Sequence, residues 1–248
     1  MINKIKTKIQ AYLRSIKRIE NKAELNYSFN EDHMAYSQLL KMFDGTVFFP
    51  LTKWSISPKE IVHICNDVVI NKRKKIIEFG SGFSTLCIAQ LLKINHIMAT
   101  FFSVESNSDW AAELNKILSY LKLNDYVEII VAPIQDVSKQ FAKETQKKWY
   151  DTEILTQALN DVTNFDLVIV DGPFAGITPF ARYSAIPFLK EKLAAKYSIF
   201  LDDSYRADEK EISEDWQLLL NVQLKHFKIY SCLSNKSGFD ISPYEVKN

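Results

Sequence analysis

Apolar positions along this chain follow two different periods, and the change from one to the other sets its organisation. Ile2, Ile5, Ile9, Leu13, Ile16 and Ile19 recur at three- and four-residue steps, the period of one helix face. Lys4, Lys6, Lys8, Arg14, Lys17, Arg18 and Lys22 fill the other positions, against the single acid Glu20. The pattern predicts a basic amphipathic helix over residues 1–22. Three readings fit such a helix: packing on its own domain with a solvated basic face, contact with an anionic membrane surface, or pairing with a partner helix. Residues 23–57 lose the period and read as irregular and aromatic, with Phe48-Phe49-Pro50 and Trp54-Ser55. Residues 1–57 are therefore expected to form an extension, and 58–248 the main domain.

Pro58 suits the first position of a helix capped by Ser57, with Ile61, Val62, Ile64, Cys65, Val68 and Val69 on its buried side. Lys72-Arg73-Lys74-Lys75 suits its C-terminal end and a solvated turn. From there short apolar runs predict strands at 75–79, 99–105, 127–132, 166–171 and 198–202. Helices are expected between them at 84–93, 108–121, 135–146 and 179–194. Such alternation implies right-handed crossovers and a parallel sheet. The tail differs, because 225–232 and 238–242 read as two strands of a hairpin turning through Asn235-Lys236-Ser237-Gly238. The expected class is α/β, a doubly wound, mostly parallel sheet closed by a C-terminal antiparallel hairpin.

Composition narrows the function little. The 248 residues carry a net charge of +1, so no global signal points to nucleic acid. Cys65, Cys87 and Cys232 share no close spacing and read as buried thiols. His33, His63, His96 and His226 lie away from every expected strand tip, so a zinc site is not indicated. No apolar run approaches the ~20 residues that span a bilayer, and no signal peptide is visible, which makes cytoplasmic the default expectation.

Chemistry is expected at the carboxyl ends of the strands, where open α/β sheets bind ligands. The first strand ends in Glu78 and the turn Gly80-Ser81-Gly82, and Ser84 and Thr85 open the next helix. The second ends in Glu105, followed by Ser106; a carboxylate there can accept both hydrogen bonds of a ribose diol. The third is followed by Ile134, placed to face a purine ring. The fourth ends in Asp171-Gly172-Pro173-Phe174 and the fifth in Asp202-Asp203. A dinucleotide fingerprint needs a third glycine where Thr85 stands, and Glu78 sits poorly beside a pyrophosphate. The acid suits a cationic, phosphate-free ligand better.

At these residues the chain resembles the class I S-adenosylmethionine-dependent methyltransferases, whose first motif is an acid, any residue, then Gly-x-Gly. The resemblance covers roughly 58–248. More closely, Trp54-Ser55, EFGSGFST, Trp149-Tyr150-Asp151, VDGPF, Arg182-Tyr183-Ser184-Ala185 and Asp202-Asp203 with Arg206 and Trp216 are similar to a bacterial group of O-methyltransferase-like proteins, often associated with glycan or other secondary biosynthesis. The resemblance implies a seven-stranded sheet and S-adenosylmethionine as cofactor. It implies Glu78, Gly80, Ser81, Gly82, Ser84, Thr85, Glu105, Ser106, Ile134 and Asp171 as its binding residues. It further implies methyl transfer to an oxygen of a small hydroxylated acceptor, such as a sugar or glycan precursor.

Asp171, Asp202 and Asp203 have two readings. In cation-dependent O-methyltransferases similar acids hold Mg²⁺, which three hard oxygen ligands suit. Otherwise Asp202 and Asp203 cap the strand and pair with Arg206, Asp171 contacts the cofactor, and Asp171 or Asp203 is the general base. Trp149-Tyr150 either stacks on a sugar face or anchors a surface helix. Arg182 either grips an acidic acceptor or pairs with a structural carboxylate. The competing functions are N-methylation of an amine, and a non-catalytic scaffold that uses the N-terminal helix.

Overall fold

The first helix, α1 (Ile2–Leu40), runs well past residue 22 and absorbs much of the segment that reads as irregular. Its C-terminal part earns this length through Ala35 and Leu39, four residues apart, which enter the core. Two buried positions among the described residues of 23–40 are too few to register as a period in sequence. On the apolar face expected to pack on the domain, Leu13 and Ile19 are 59% and 67% exposed. The computed structural model describes residues 2–43, 45, 48–235 and 239–245.

Helix α2 (Pro58–Ile70) starts as expected, with the Ser57 hydroxyl accepting from the Glu60 N–H. Its buried face carries more polarity than its apolar period suggests, since Glu60, His63 and Asp67 are buried with Ile61, Ile64 and Val68. Arg73, expected in a solvated turn, is buried instead and donates to Asp67 and to the Ser198 hydroxyl. Strand β1 (Lys75–Phe79), helix α3 (Phe83–Ile94), β2 (Thr100–Glu105), α4 (Ser108–Tyr120) and β3 (Glu128–Val131) then fall within one residue of the expected bounds.

The helix expected at 135–146 does not form. Strands β4 (Ile134–Asp136) and β5 (Lys148–Tyr150) pair antiparallel in a small separate sheet, with Ile134 opposite Tyr150. Ile134, Val137 and Phe141 have helix-like spacing, but Trp149 and Tyr150 are buried in the core, and aromatics favour the strand state. Both rings therefore belong to a buried strand and not to a surface helix, and of the two Tyr150 also lines the cavity described below. Helix α5 (Thr152–Ala158) follows, capped by Asp151, and leads to β6 (Phe165–Val170). The helix expected at 179–194 shrinks to α6 (Ala185–Leu189) and a short 3₁₀ turn at 190–192. Pro187 is tolerated only in a first turn, so the helix starts late and 178–184 remains an irregular segment. Strand β7 (Leu193–Leu201) begins earlier than the expected residue 198, and α7 (Ala207–Leu220) follows it.

The closing hairpin is real but lies upstream of its expected register. Strands β8 (Gln223–His226) and β9 (Ser231–Ser234) pair antiparallel. The turn between them is closed by Phe227 N–H to Tyr230 C=O, and the two rings stack with centroids 4.6 Å apart. Residues 236–238, most of the expected turn, lie outside the described residues.

The sheet order is β3-β2-β1-β6-β7-β9-β8, with the first five strands parallel and β9 antiparallel to both neighbours. Successive residues of each central strand face opposite cores. Ile76 joins Ile61, Ile64 and Leu86 on one side, while Ile77 joins Trp149, Phe188 and Trp216 on the other. The chain runs outward from β1 to β3 and then returns to β6 on β1's other side. Ligands bind in open α/β sheets at this reversal, outside the strand carboxyl ends.

Candidate active site

Each strand tip is tied to its neighbour where the loop begins. The Gly80 N–H donates to Val104 C=O, Asp171 N–H to Phe79 C=O, Asp202 N–H to Val170 C=O, and Ala132 N–H to Glu105 C=O. These bonds fix the start of every loop, so the acids behind them stand at set positions. Beyond the tips of β1, β2, β6 and β7 lies a cavity of about 470 Å³, lined by Gly80, Ser81, Glu105, Ser106, Tyr150, Asp171, Arg182, Asp202 and Asp203. A larger cavity, about 620 Å³, opens at the other ends of the strands beside Arg73 and Lys196 and contains none of these acids.

Gly80 is in the left-handed region at φ 100°. A Cβ there would stand 2.9 Å from the Gly172 nitrogen, so glycine is needed both for the turn and for its contact with the β6 loop. Glu105 accepts hydrogen bonds from the Ser81 N–H (3.3 Å), the Asn107 N–H (2.7 Å) and the Ser106 hydroxyl (3.3 Å). Its carboxylate is thereby aimed along the cavity floor next to the glycine turn.

Glu78 is placed differently from its sequence reading. It is fully buried and does not line the cavity. Its carboxylate accepts from the Ser84 and Thr85 hydroxyls at 2.5 Å and from Ser103 at 2.7 Å. Burial pushes this carboxyl up to about 6, against the pull of the three hydroxyls. Thr85, in the third-glycine position, also accepts from the Gly82 N–H at 2.9 Å, so it caps α3 while donating to Glu78. Ser103 links the network to Ser81, its hydroxyl 2.7 Å from that of Ser81. Glu78, Ser84 and Thr85 thus form a polar support beneath the turn. Ile134 sits in β4 against the second core and is not part of the cavity wall.

The aspartates do converge. Suitable oxygens of Asp171, Asp202 and Asp203 all lie within 4.8 Å of one another. Arg182, however, already occupies their midst: one guanidinium nitrogen donates to Asp171 at 3.0 Å and to Asp203 at 3.1 Å, and another to the Asp202 carbonyl at 2.9 Å. Arg206 adds a second contact to Asp203 at 2.8 Å. A divalent ion bridging Asp171 and Asp203 would need the place of that guanidinium, so the residues as arranged do not fit Mg²⁺. Burial pushes the Asp171 carboxyl well above the usual range, with Arg182 opposing and Asp202 adding to the rise. Asp203 is raised by the same causes, burial first and then Asp202, with both arginines opposing.

Sequence reasoning missed three groups here. Glu60 is fully buried with neither carboxyl oxygen hydrogen-bonded among the described residues, and burial and then Asp202 push it well above the usual range. Its signal was an acid inside the apolar face of α2. Ser103 breaks an otherwise apolar central strand. Trp54 and Phe174 meet edge to face at the cavity rim, ring centroids 5.3 Å apart, although each is more than half exposed. Lys53 lies over the Trp54 ring.

With this geometry in view, the profile of a methyltransferase domain family matches residues 77–204, slightly more than half the chain. No curated protein matches in sequence. Among solved structures, a Staphylococcus aureus protein provisionally named a caffeoyl-CoA O-methyltransferase aligns at 15% identity and TM-score 0.55, covering 86% of this chain and all of the other. An O-methyltransferase from Bacillus cereus, solved with SAH, aligns at 12% identity and TM-score 0.53, covering 83% and 90%. TomG from Streptomyces achromogenes, an O-methyltransferase of tomaymycin synthesis solved with SAM, gives 14% identity and TM-score 0.52 over 84% and 90%. At such identities the likeness establishes a common fold.

Proposed function

The chain belongs to the methyltransferase domain family as an S-adenosylmethionine-dependent methyltransferase, and we propose that it methylates an oxygen of a small hydroxylated acceptor, a sugar or glycan precursor. One observation carries this reading: Glu105, the Gly80-Ser81 turn and the Asp171–Asp203 pair share a single cavity. Glu105 offers a fixed anionic acceptor for a ribose diol, and the turn offers backbone with no side-chain bulk. The bound donor supplies an electrophilic methyl group on a sulfonium.

The protein's own residues supply the rest. Glu78, Ser84, Thr85 and Ser103 hold the turn rigid from below. Asp171 and Asp203, both raised by burial, stand ready to take the acceptor hydroxyl's proton as the oxygen attacks. Arg182 stays bonded to both carboxyls and limits the charge change when one of them is protonated. Trp54 and Phe174 present ring faces and edges at the rim, which suits the apolar face of a sugar. Most of the rate gain then comes from holding the hydroxyl near attack distance and in line.

Titration calorimetry with S-adenosylhomocysteine tests the donor half, and a folded protein giving no heat overturns it. For the acceptor half, Asp203→Asn should keep donor affinity while turnover of hydroxylated sugars falls by about 10²–10⁴-fold, and Asp171→Asn should lower turnover by a similar factor. Unchanged turnover in both variants removes the proposed base.

A further inference from the structure

We propose that the N-terminal half of α1 is a docking element for an anionic lipid surface, separate from the catalytic cavity. Helix α1 spans 39 residues, about 58 Å at 1.5 Å per residue. Among the described residues, its buried side chains lie near its C-terminal end. There Ala35 and Leu39 are buried, and Lys59 of α2 donates to Glu31 and, through its backbone, to Asp32.

Upstream of residue 31 every described side chain except Ile16 and Ser28 is exposed. Tyr12, Ile16, Ile19, Ala23 and Tyr27 follow each other at steps of three and four residues, so they form one stripe along the helix. Tyr12, Ile19 and Tyr27 on that stripe are more than half exposed, as is Leu13 beside it. Lys6, Arg14, Lys17, Arg18 and Lys22 are exposed at the positions around the stripe. An exposed apolar stripe bordered by cations is the pattern of a helix lying in a membrane interface, its apolar side in the acyl boundary and its cations at the headgroups.

Charge decides between lipid and a second copy of the chain. Residues 1–22 hold seven Lys and Arg against Glu20, in a chain of net charge +1, which leaves the remainder with an excess of acids. Two such helices side by side would bring like charges together and lack the acids that coiled-coil flanking positions use for pairing. An anionic bilayer supplies the missing counter-charge over the whole length of the segment. The acidic remainder of the chain meanwhile disfavours lying flat on the same surface, so contact falls to the helix.

Flotation of the full chain with vesicles tests this. It should co-float with phosphatidylcholine–phosphatidylserine vesicles, be released by high salt, and ignore phosphatidylcholine alone. Lys17→Glu with Arg18→Glu should lower anionic-vesicle binding at least tenfold, and Leu13→Asp with Ile19→Asp should do the same. Both variants should retain S-adenosylhomocysteine binding and helix content. No flotation of the wild type, or flotation indifferent to these changes, overturns the proposal. So does a concentration-dependent dimer in sedimentation that Ile19→Asp abolishes while vesicles stay unbound.

Discussion

Gly80 and Gly172 touch backbone to backbone, so the turn after β1 and the loop after β6 share one surface with no side chain between them. A Cβ on Gly172 would lie 3.0 Å from the Gly80 nitrogen and Cα and would also strike the Tyr150 hydroxyl. Gly172→Ala must therefore push the two loops apart. Overpacking of this kind costs roughly 1–3 kcal/mol. Thermal unfolding should register that loss, and donor affinity should fall with it because the displaced turn is the proposed cofactor wall.

Removing the Glu105 carboxylate leaves the Ser81 and Asn107 N–H groups without their acceptor. Hydrogen bonds to charged groups contribute about 1.5–3 kcal/mol each. Glu105→Ala should weaken S-adenosylhomocysteine binding by roughly 10–150-fold, read by calorimetry, if the diol rests on this group. Wild-type affinity in the variant would remove Glu105 from the site.

Arg182 is the cation that the three aspartates hold. Methyl transfer by the wild type should therefore be insensitive to EDTA. Arg182→Met leaves buried acids uncompensated, a change that typically costs 3–5 kcal/mol. If it folds, this variant should gain affinity for Mg²⁺ or Ca²⁺ measurable by calorimetry. Strong inhibition of the wild type by chelator would reverse the assignment.

Glu60 gives a pH signature. Its folded-state pKa is raised above the ordinary value of 4.5, so the folded protein holds a proton that the unfolded chain releases. Whatever stability depends on that proton is complete below 4.5 and is lost as pH rises toward the folded-state value. Glu60→Gln keeps the shape without the titration. Its unfolding free energy should match wild type near pH 4 and exceed it increasingly at neutral pH, as followed by denaturant melts across the range.

Trp54 and Phe174 should act on the acceptor alone. Alanine at either position should raise KM for a sugar acceptor severalfold, with donor affinity unchanged, since both rings stand at the rim. Equal effects on both ligands would make the pair a structural latch instead.

Much of the site's frame was readable because its signals are local. Buried parallel strands appear as apolar runs, and a glycine turn ending one of them needs no partner to be recognised. Glu105, Asp171 and Asp202-Asp203 follow from position at strand tips. The groups that complete the site depend on distant contacts. Arg182 was readable as a partner for a structural carboxylate, but which acids it joins depends on how its irregular segment folds back across the sheet. Glu60 becomes a buried acid beside Asp202 only because α2 packs on β7, where His63 meets Phe200 edge to face. Glu78 shows the limit from the other side: the motif was visible, but three hydroxyls from two elements turn its carboxylate inward. The 134–150 segment failed for a related reason, since Trp149 and Tyr150 impose strand pairing through the core.

Asp203 is held at φ 59°, a left-handed conformation that glycine adopts at no cost and other residues adopt against resistance. Two arginines grip its carboxylate and keep it there. Glycine would relieve about 1–2 kcal/mol of that resistance but would take a shared acceptor from Arg182 and Arg206, and breaking a buried ion pair costs about 3–5 kcal/mol. The backbone tension at residue 203 is thus a by-product of holding two guanidinium groups, and a library selected for heat resistance alone should keep an acid there.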